Sequence, residues 1–346
     1  MSLSGDSEWE EEVQELYEHF HFSIDKGQHL LRIDKYLAAH IEGISRSRIQ
    51  AAADTGYILV NGTAVKASYP VKPLDQISVV MPYRRRGLEI LSEDIPLDIV
   101  YEDDEVLVIN KPAGLVVHPG HGNYSGTLVN ALAWHLGIRG KVEGDERMGM
   151  LVHRIDKNTS GLLVVAKTDE AQFRLSKQFF DHTVQREYIA LVWGNPEPES
   201  GSIDLDIGRD PKDRLRFKAF LPNTVGKHAV THYRVVEHFG YVSLVACRLE
   251  TGRTHQIRVH MEAIGNPLFN DERYGGNRIR QGVVFAKFSA FIENCFRIMP
   301  RQALHAQTLG FIHPKTKEAM YFTAPLPADF QQMLDKWRHY VKTASS

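Results

Sequence analysis

The sequence predicts an α+β protein in two parts, a small module of two helices and a hairpin followed by a larger domain that mixes short strands with helices. Three observations predict it. The 346 residues exceed the roughly 250 to 300 at which a single hydrophobic core stops growing. Runs such as Leu162 to Ala166 and Arg186 to Trp193 are β-branched or aromatic and too short for helices, so they read as buried strands. Other segments carry apolar residues at helical spacing behind recognisable capping residues.

Composition narrows the class. Charged residues make up 24% and hydrophobic ones 43%, as in an ordinary globular chain. Only two cysteines are present, Cys247 and Cys295. They argue against a disulfide scaffold and read as buried free thiols in a reducing compartment. The first thirty residues lack a basic start with an apolar core, and no apolar run approaches the roughly eighteen residues of a membrane span. A cytoplasmic protein without a membrane partner is expected.

The net charge of -2 hides an asymmetry. Residues 1–18 hold seven acids and no Lys or Arg, leaving 36 acids against 41 bases in the rest. What attracts phosphate is the local field rather than the total. Residues 1–29 are therefore expected to be an acidic, disordered or loosely helical segment.

From residue 30 the pattern changes. Leu30, Ile33, Leu37 and Ile41 keep helical spacing up to Gly43, and a second helix is expected from Ser45 as N-cap to about Asp54, with Gly56 beyond its end. Tyr57 to Val60 then leads into Asn61-Gly62, a type I′ hairpin signal, and Ile77 and Val79 alternate in a later strand. Residues 31–86 carry nine bases and four acids. Arg32, Arg46 and Arg48 are candidate phosphate-binding residues, the last two at a helix N-terminus where exposed N–H groups also favour phosphate, although a charge run by itself more often marks a solvated helix face. The module is assigned to residues 30–81, and 82–96, with Pro82 and three consecutive arginines, read as a linker to a domain at 97–346.

In the larger domain, Glu105 to Ile109 and Leu115 to Val117 read as strands joined by Asn110-Lys111-Pro112-Ala113-Gly114. An amphipathic helix is expected at Leu128 to His135. Gly120, Gly122 and Gly126 make a poor dinucleotide fingerprint because Ser125 occupies the third glycine's place. Thr168 is an expected N-cap for a helix beginning Asp169-Glu170 and carrying Phe173, Phe179 and Phe180. Residues 209–234 hold seven bases and two acids, a further candidate RNA-facing stripe. Thr254 is expected to cap a short helix that turns Ile257, Met261 and Ile264 inward, and a last helix runs from Pro327 to Lys342. His228 and His232 are four apart, but they sit in an alternating strand pattern without a His-Glu-x-x-His string, so no metal is expected.

The most informative stretch is His153-Arg154-Ile155-Asp156-Lys157-Asn158-Thr159-Ser160-Gly161, a loop between the apolar runs Met150 to Val152 and Leu162 to Ala166. Loops on rigid scaffolds carry catalytic side chains disproportionately often. Asp156 stands between two cations that favour its ionised form, so it is available as nucleophile or base, although for an isolated Asp an Asx-turn is the commoner role.

This string closely resembles the His-Arg-Leu-Asp-x-x-Thr-Ser-Gly signature of the RluA/RluD-type pseudouridine synthases, with Ile155 in place of Leu. Thr251-Gly-Arg-Thr-His-Gln-Ile-Arg-Val-His260, Arg273-Tyr-Gly-Gly276 and Arg301-Gln-Ala-Leu-His-Ala306 extend the similarity. Arg-Ile-Asp-Lys-Tyr-Leu, Ser-Arg-Ser-Arg and Val-Asn-Gly in the first module resemble an S4 RNA-binding domain, which implies that Arg32, Arg46 and Arg48 bind RNA. The resemblance implies a synthase domain with a mostly antiparallel mixed sheet flanked by helices. It also implies isomerisation of uridine to pseudouridine in RNA, most nearly 23S-type ribosomal RNA or its precursor particle, by a monomer. The roles it implies are Asp156 as the catalytic carboxylate, Tyr188 against the target base, Arg258 paired with Asp156, and Arg154 in base flipping. Because atoms are conserved, neither a redox cofactor nor a metal is needed. Two other classes fit less well. A non-catalytic ribosome-assembly factor would not need Asp156, Tyr188 and Arg258 together, and a glycosidase would normally need two cooperating carboxylates.

Overall fold

The computed structural model describes residues 17–27, 30–41, 46–54, 56–81, 91–118, 125–138, 151–213, 216–282 and 285–344. The chain divides into two compact units, Met1–Glu89 and Ile90–Ser346. Gly43, Ser45, Pro82, Arg84, Arg85, Arg86, Gly120, Gly122, Met150 and the Arg48 side chain lie outside the described residues.

The first unit runs β1 (Tyr17–Ser23), β2 (Leu31–Arg32), α1 (Ile33–His40), α2 (Arg46–Asp54), β3 (Ile58–Val60), β4 (Thr63–Ala64), β5 (Pro70–Val71) and β6 (Gln76–Met81). Asn61 and Gly62 both have positive φ, at 51° and 80°, so the β3–β4 turn has the type I′ backbone that matches strand twist. Ile33 and Leu37 of α1 close over Ile58, Val60, Ile77 and Val79. The expectation of an unstructured segment through residue 29 is corrected by β1. That strand pairs antiparallel with β6, placing Phe22 opposite Ile77, and Phe22 meets the Tyr36 ring edge-on. Its acids masked a short aromatic alternation that only a distant partner strand stabilises.

The second unit runs β7 (Ile99–Glu102), β8 (Val106–Lys111), α3 (Leu128–His135), β9 (Ser160–Ala166), α4 (Asp169–Phe180), β10 (Gln185–Trp193), β11 (Ser200–Asp204), β12 (Asp206–Arg209), β13 (Phe217–Phe220), β14 (Val230–His238), β15 (Val242–Leu249), α5 (Gln256–Ala263), α6 (Ala286–Ile298), β16 (Leu304–Ile312), β17 (Ala319–Thr323) and α7 (Ala328–Ala344). The large sheet has the order β11-β14-β15-β10-β16-β9-β8-β7, with β17 also on β16. Its strand pairs are antiparallel except β9 with β16. Central β10 is buried on both faces, so it reads as a continuous apolar run. Tyr188, Ala190 and Val192 face a core closed by Leu128 and Leu132 of α3 and Ile257 and Met261 of α5. Ile189, Leu191 and Trp193 face the opposite core under α6 and α7, against Ile292, Phe330 and Trp337. Strand alternation thus sends Tyr188 to the face that α5 covers.

Five local expectations need correction. The linker ends before residue 96. The Leu91 carbonyl accepts from Asn130 at 2.8 Å, the Glu93 carboxylate accepts from the Gly126 N–H, and Leu97 packs on the core. Leu115 to Val117 is not a strand. Only Val116 bridges, to Thr127, because the Leu115 carbonyl is taken by the Lys111 ammonium at 2.9 Å. Likewise, of the described residues Leu151 and Val152, Leu151 alone bridges β9, and the His153 ring accepts the Val164 N–H that a neighbouring strand would otherwise take. Finally, the N-cap of α5 is His255, in left-handed conformation at φ 57°, rather than Thr254. The Gln256 side chain sets that entry, accepting from Arg253 N–H and Thr251 hydroxyl and donating to the Val230 carbonyl. Ile264, at the C-cap of α5, stays partly exposed rather than turning inward. By contrast, Thr168 does cap α4, accepting from the Ala171 N–H at 3.1 Å.

Candidate active site

The loop 153–159 enters β9 at Ser160-Gly161, the point where β9 meets β16 in parallel. Gly161 has φ +115°, and a Cβ there would lie 2.2 Å from the Ala306 carbonyl oxygen, so only glycine lets the two backbones approach this closely. Side chains along the loop alternate. His153 stacks on Phe179 at 4.5 Å and Ile155 is buried in the core, while Arg154 and Asp156 turn outward.

Several buried groups hold the loop in place. Lys111, 1% exposed, donates to the carbonyls of Pro112 at 2.7 Å, Leu115 at 2.9 Å and Lys157 at 3.0 Å. Burial pushes its ammonium down to about 7, with Asp156 acting in the opposite direction. Arg301 donates to the Asn158 carbonyl at 3.1 Å while its other side holds Asp329. The Asp156 carbonyl accepts the Thr159 N–H at 3.0 Å, closing a turn. The cations next to Asp156 in sequence are not its partners: Arg154 and Lys157 are exposed, and the carboxylate meets Arg258 instead.

Arg258 leaves α5 beside the inward residue Ile257 and is itself buried. Its Nη1 donates to Asp156 Oδ2 at 2.9 Å, and its Nε and Nη2 donate to the two oxygens of Asp271 at 2.7 and 2.9 Å. Its guanidinium also lies over the Tyr274 ring, 5.0 Å from the centroid. Desolvation alone would weaken its hold on a proton, but the two carboxylates outweigh it and the pKa is raised. Among the described residues Asp156 Oδ1 has no such bond, and His255 Nε2 stands 3.9 Å from it. The other ring nitrogen of His255 bonds the Tyr274 hydroxyl at 2.8 Å. Burial pushes His255 down to about 4 despite Asp156, so the ring is neutral at pH 7.

Above this layer is a cavity of about 480 Å³ lined by Asp156, Tyr188, Arg258, Arg154 and His255 among others. That volume lies in the range of small-molecule pockets. Tyr188 is 6% exposed, and burial raises its hydroxyl pKa. Asp156, Tyr188, Arg258 and Arg154, separated by up to 104 residues in sequence, therefore share one concavity. Asp271, His255, Tyr274 and Lys111 escaped the sequence reading. His255 and Tyr274 lie inside the family-like strings 251–260 and 273–276, and Lys111 sits in the Lys-Pro-x-Gly turn, whereas Asp271 carries no local signal.

In the first unit Arg32 and Arg46 come together around one buried carboxylate. Asp34 accepts from Arg32 at 3.1 Å, Arg46 at 2.9 Å and Gln50 at 3.0 Å. Burial works to raise the Asp34 pKa, but these donors outweigh it and hold it well below the usual carboxylate range. Both arginines remain about half exposed, so the cluster presents net positive charge to solvent.

A family model described as RNA pseudouridylate synthase matches residues 105–263, which include Asp156, Tyr188 and Arg258. An uncharacterized RNA pseudouridine synthase from Chlorobaculum parvum is 46% identical over 324 residues, covering 93% of this chain and 98% of its own length. The chain belongs to the RNA pseudouridine synthase family. This synthase is accordingly an RNA-modifying isomerase, and its residues 31–77 match the S4 domain. A protein of Zymomonas mobilis named ribosomal large subunit pseudouridine synthase D is 43% identical over 303 residues, 87% of this chain and 92% of that one. Among solved structures, human RNA pseudouridylate synthase domain containing 1 superposes with a TM-score of 0.51 at 26% identity, covering 72% of this chain and 96% of its own. The synthase's Asp271 and Tyr274 lie beyond the matched segment.

Proposed function

We propose that this synthase converts uridines of large-subunit ribosomal RNA to pseudouridine with Asp156 as its catalytic carboxylate. The Arg258–Asp156 contact of 2.9 Å at the base of a cavity that Tyr188 also lines carries this reading. In the reaction the N1–C1′ bond breaks, the uracil turns, and C5 bonds C1′. The C5 hydrogen leaves to solvent and N1 gains a proton. Arg258 restrains Oδ2, which leaves Oδ1 facing the cavity for attack at C1′ or C6 or for proton transfer. Tyr188 offers the base a flat apolar face, and Arg154 at the rim fills the space a flipped uridine leaves. Arg32, Arg46 and Arg48 of the S4 unit add phosphate contacts.

The ribosomal substrate is supported by the names of relatives such as the Zymomonas mobilis protein. A cytoplasmic monomer is the accompanying reading. Its cytoplasmic part is supported by two buried free cysteines, which suit a reducing compartment.

The test compares the parent with Asp156→Asn on a large-subunit ribosomal RNA transcript carrying uridine tritiated at C5. Tritium release should vanish while RNA affinity in filter binding stays within a few-fold, because the change is nearly isosteric. Substantial residual release would remove Asp156 from the role. Pseudouridine mapping in a strain lacking the protein, before and after restoring it, would identify the uridines.

A further inference from the structure

Helix α4 ends at the cavity mouth on Phe180, whose side chain lines the cavity yet is 82% exposed. Phe173, seven residues earlier, is 72% exposed. Seven residues are close to two helical turns, so both rings lie on one face about 10 Å apart. Neither has a ring partner among the described residues. Their neighbour Phe179 shows what a packed ring at this helix end looks like: it stacks on His153, and the Arg186 guanidinium lies 5.2 Å from its centroid. A single exposed apolar side chain is ordinary, whereas two unpartnered aromatics on one face, continuous with a binding cavity, mark an interaction surface.

The cavity identifies the occupant. Phe180 shares its wall with Asp156, the proposed reacting group, and with the exposed cation Arg154. A partner that reaches the cavity must therefore present flat π-faces close to negative charge, which describes a nucleic acid strand. A uridine drawn into the cavity leaves its neighbours unstacked at the rim, and an exposed phenyl is a sequence-tolerant surface on which such a base can stack.

We propose that Phe180 is a stacking platform for an unpaired base flanking the target uridine, with Phe173 extending the same surface along the strand. The proposal rests on the cavity being the uridine site. The platform lowers the cost of opening the RNA and sets which strand geometries reach Asp156. It contributes to binding and takes no part in the bond changes.

The experiment uses the full chain and the tritiated large-subunit ribosomal RNA transcript. Phe180→Ala should weaken binding and raise KM by about tenfold and leave kcat nearly unchanged. The slope of log affinity against log salt should match the parent, since no phosphate contact is lost. Phe180→Trp should keep parental affinity, whereas Phe180→Leu, which retains apolar area without a π-face, should behave like Phe180→Ala. The ring is mostly exposed, so these variants should melt with the parent. Parental binding by Phe180→Ala or Phe180→Leu would overturn the proposal. So would a concentration-dependent parental dimer that Phe173→Ala with Phe180→Ala abolishes while RNA affinity is unchanged, because the face would then contact a second copy. A parent whose RNA binding depends on Phe180 but which releases no tritium would retain the platform and remove the proposed function instead.

Discussion

Arg258 gives two of its nitrogens, Nε and Nη2, to Asp271, and this bidentate grip leaves Nη1 aimed at Asp156. Asp271, with a fully buried side chain, thus sets the direction of the guanidinium. A planar fork held on one edge can present the other edge in only one orientation.

Asp271→Asn should therefore lower turnover without removing any group that lines the cavity. A loss of about 100-fold in kcat is expected, the scale on which small misplacements of reacting groups act. Folding stability should fall by about 3 kcal/mol, the low end for breaking a buried ion pair, because Asp156 still partners the arginine. Steady-state kinetics and urea unfolding of one preparation measure both. A folded variant with parental kcat would show that Arg258 needs no second carboxylate.

Arg154 makes no hydrogen bond to Asp156 and stands exposed at the cavity rim, so its contribution should depend on the substrate. Extracting a paired uridine costs a few kcal/mol that an unpaired one does not require. Arg154→Ala should impair modification of a uridine in a stem far more than of the same uridine in an unpaired strand. Comparing kcat/KM on two such RNAs reads the difference. Equal losses would reduce Arg154 to a general phosphate contact.

Four imidazoles held largely out of water should make the synthase acid-sensitive. Burial pushes His153 down to about 3 and His255, His260 and His305 to about 4, from an ordinary 6.5. Between pH 6.5 and about 4 the unfolded chain binds protons that the folded chain refuses, so stability falls as pH drops through that window. Each ring contributes a slope of up to about 1.4 kcal/mol per pH unit. Urea unfolding at pH 7 and pH 5 should reveal the loss, and His260→Gln should make it smaller. A free energy of unfolding that does not change across this range would mean the rings are protonated in the folded state.

The sequence by itself determined what depends on near neighbours. Thr168 before an acidic first turn, the Asn61-Gly62 turn, and the unbroken apolar run of β10 were all readable, because capping, φ preference and burial of a short strand act within a few residues. The family resemblance carried the pairing of Arg258 with Asp156, which no spacing could have given across 102 positions. Only the tertiary structure decided the rest. β1 exists because β6 pairs with it, not because of its own composition. His255 replaces Thr254 as the cap because Gln256 finds partners on Thr251 and Val230. The Lys111 ammonium becomes a clamp only where the 112–115 turn and the Asp156 loop bring three carbonyls to it. Asp271 acquires its place beneath Arg258 in the same way. These groups act through long-range contacts whose energies appear only once the sheet has brought the distant segments together.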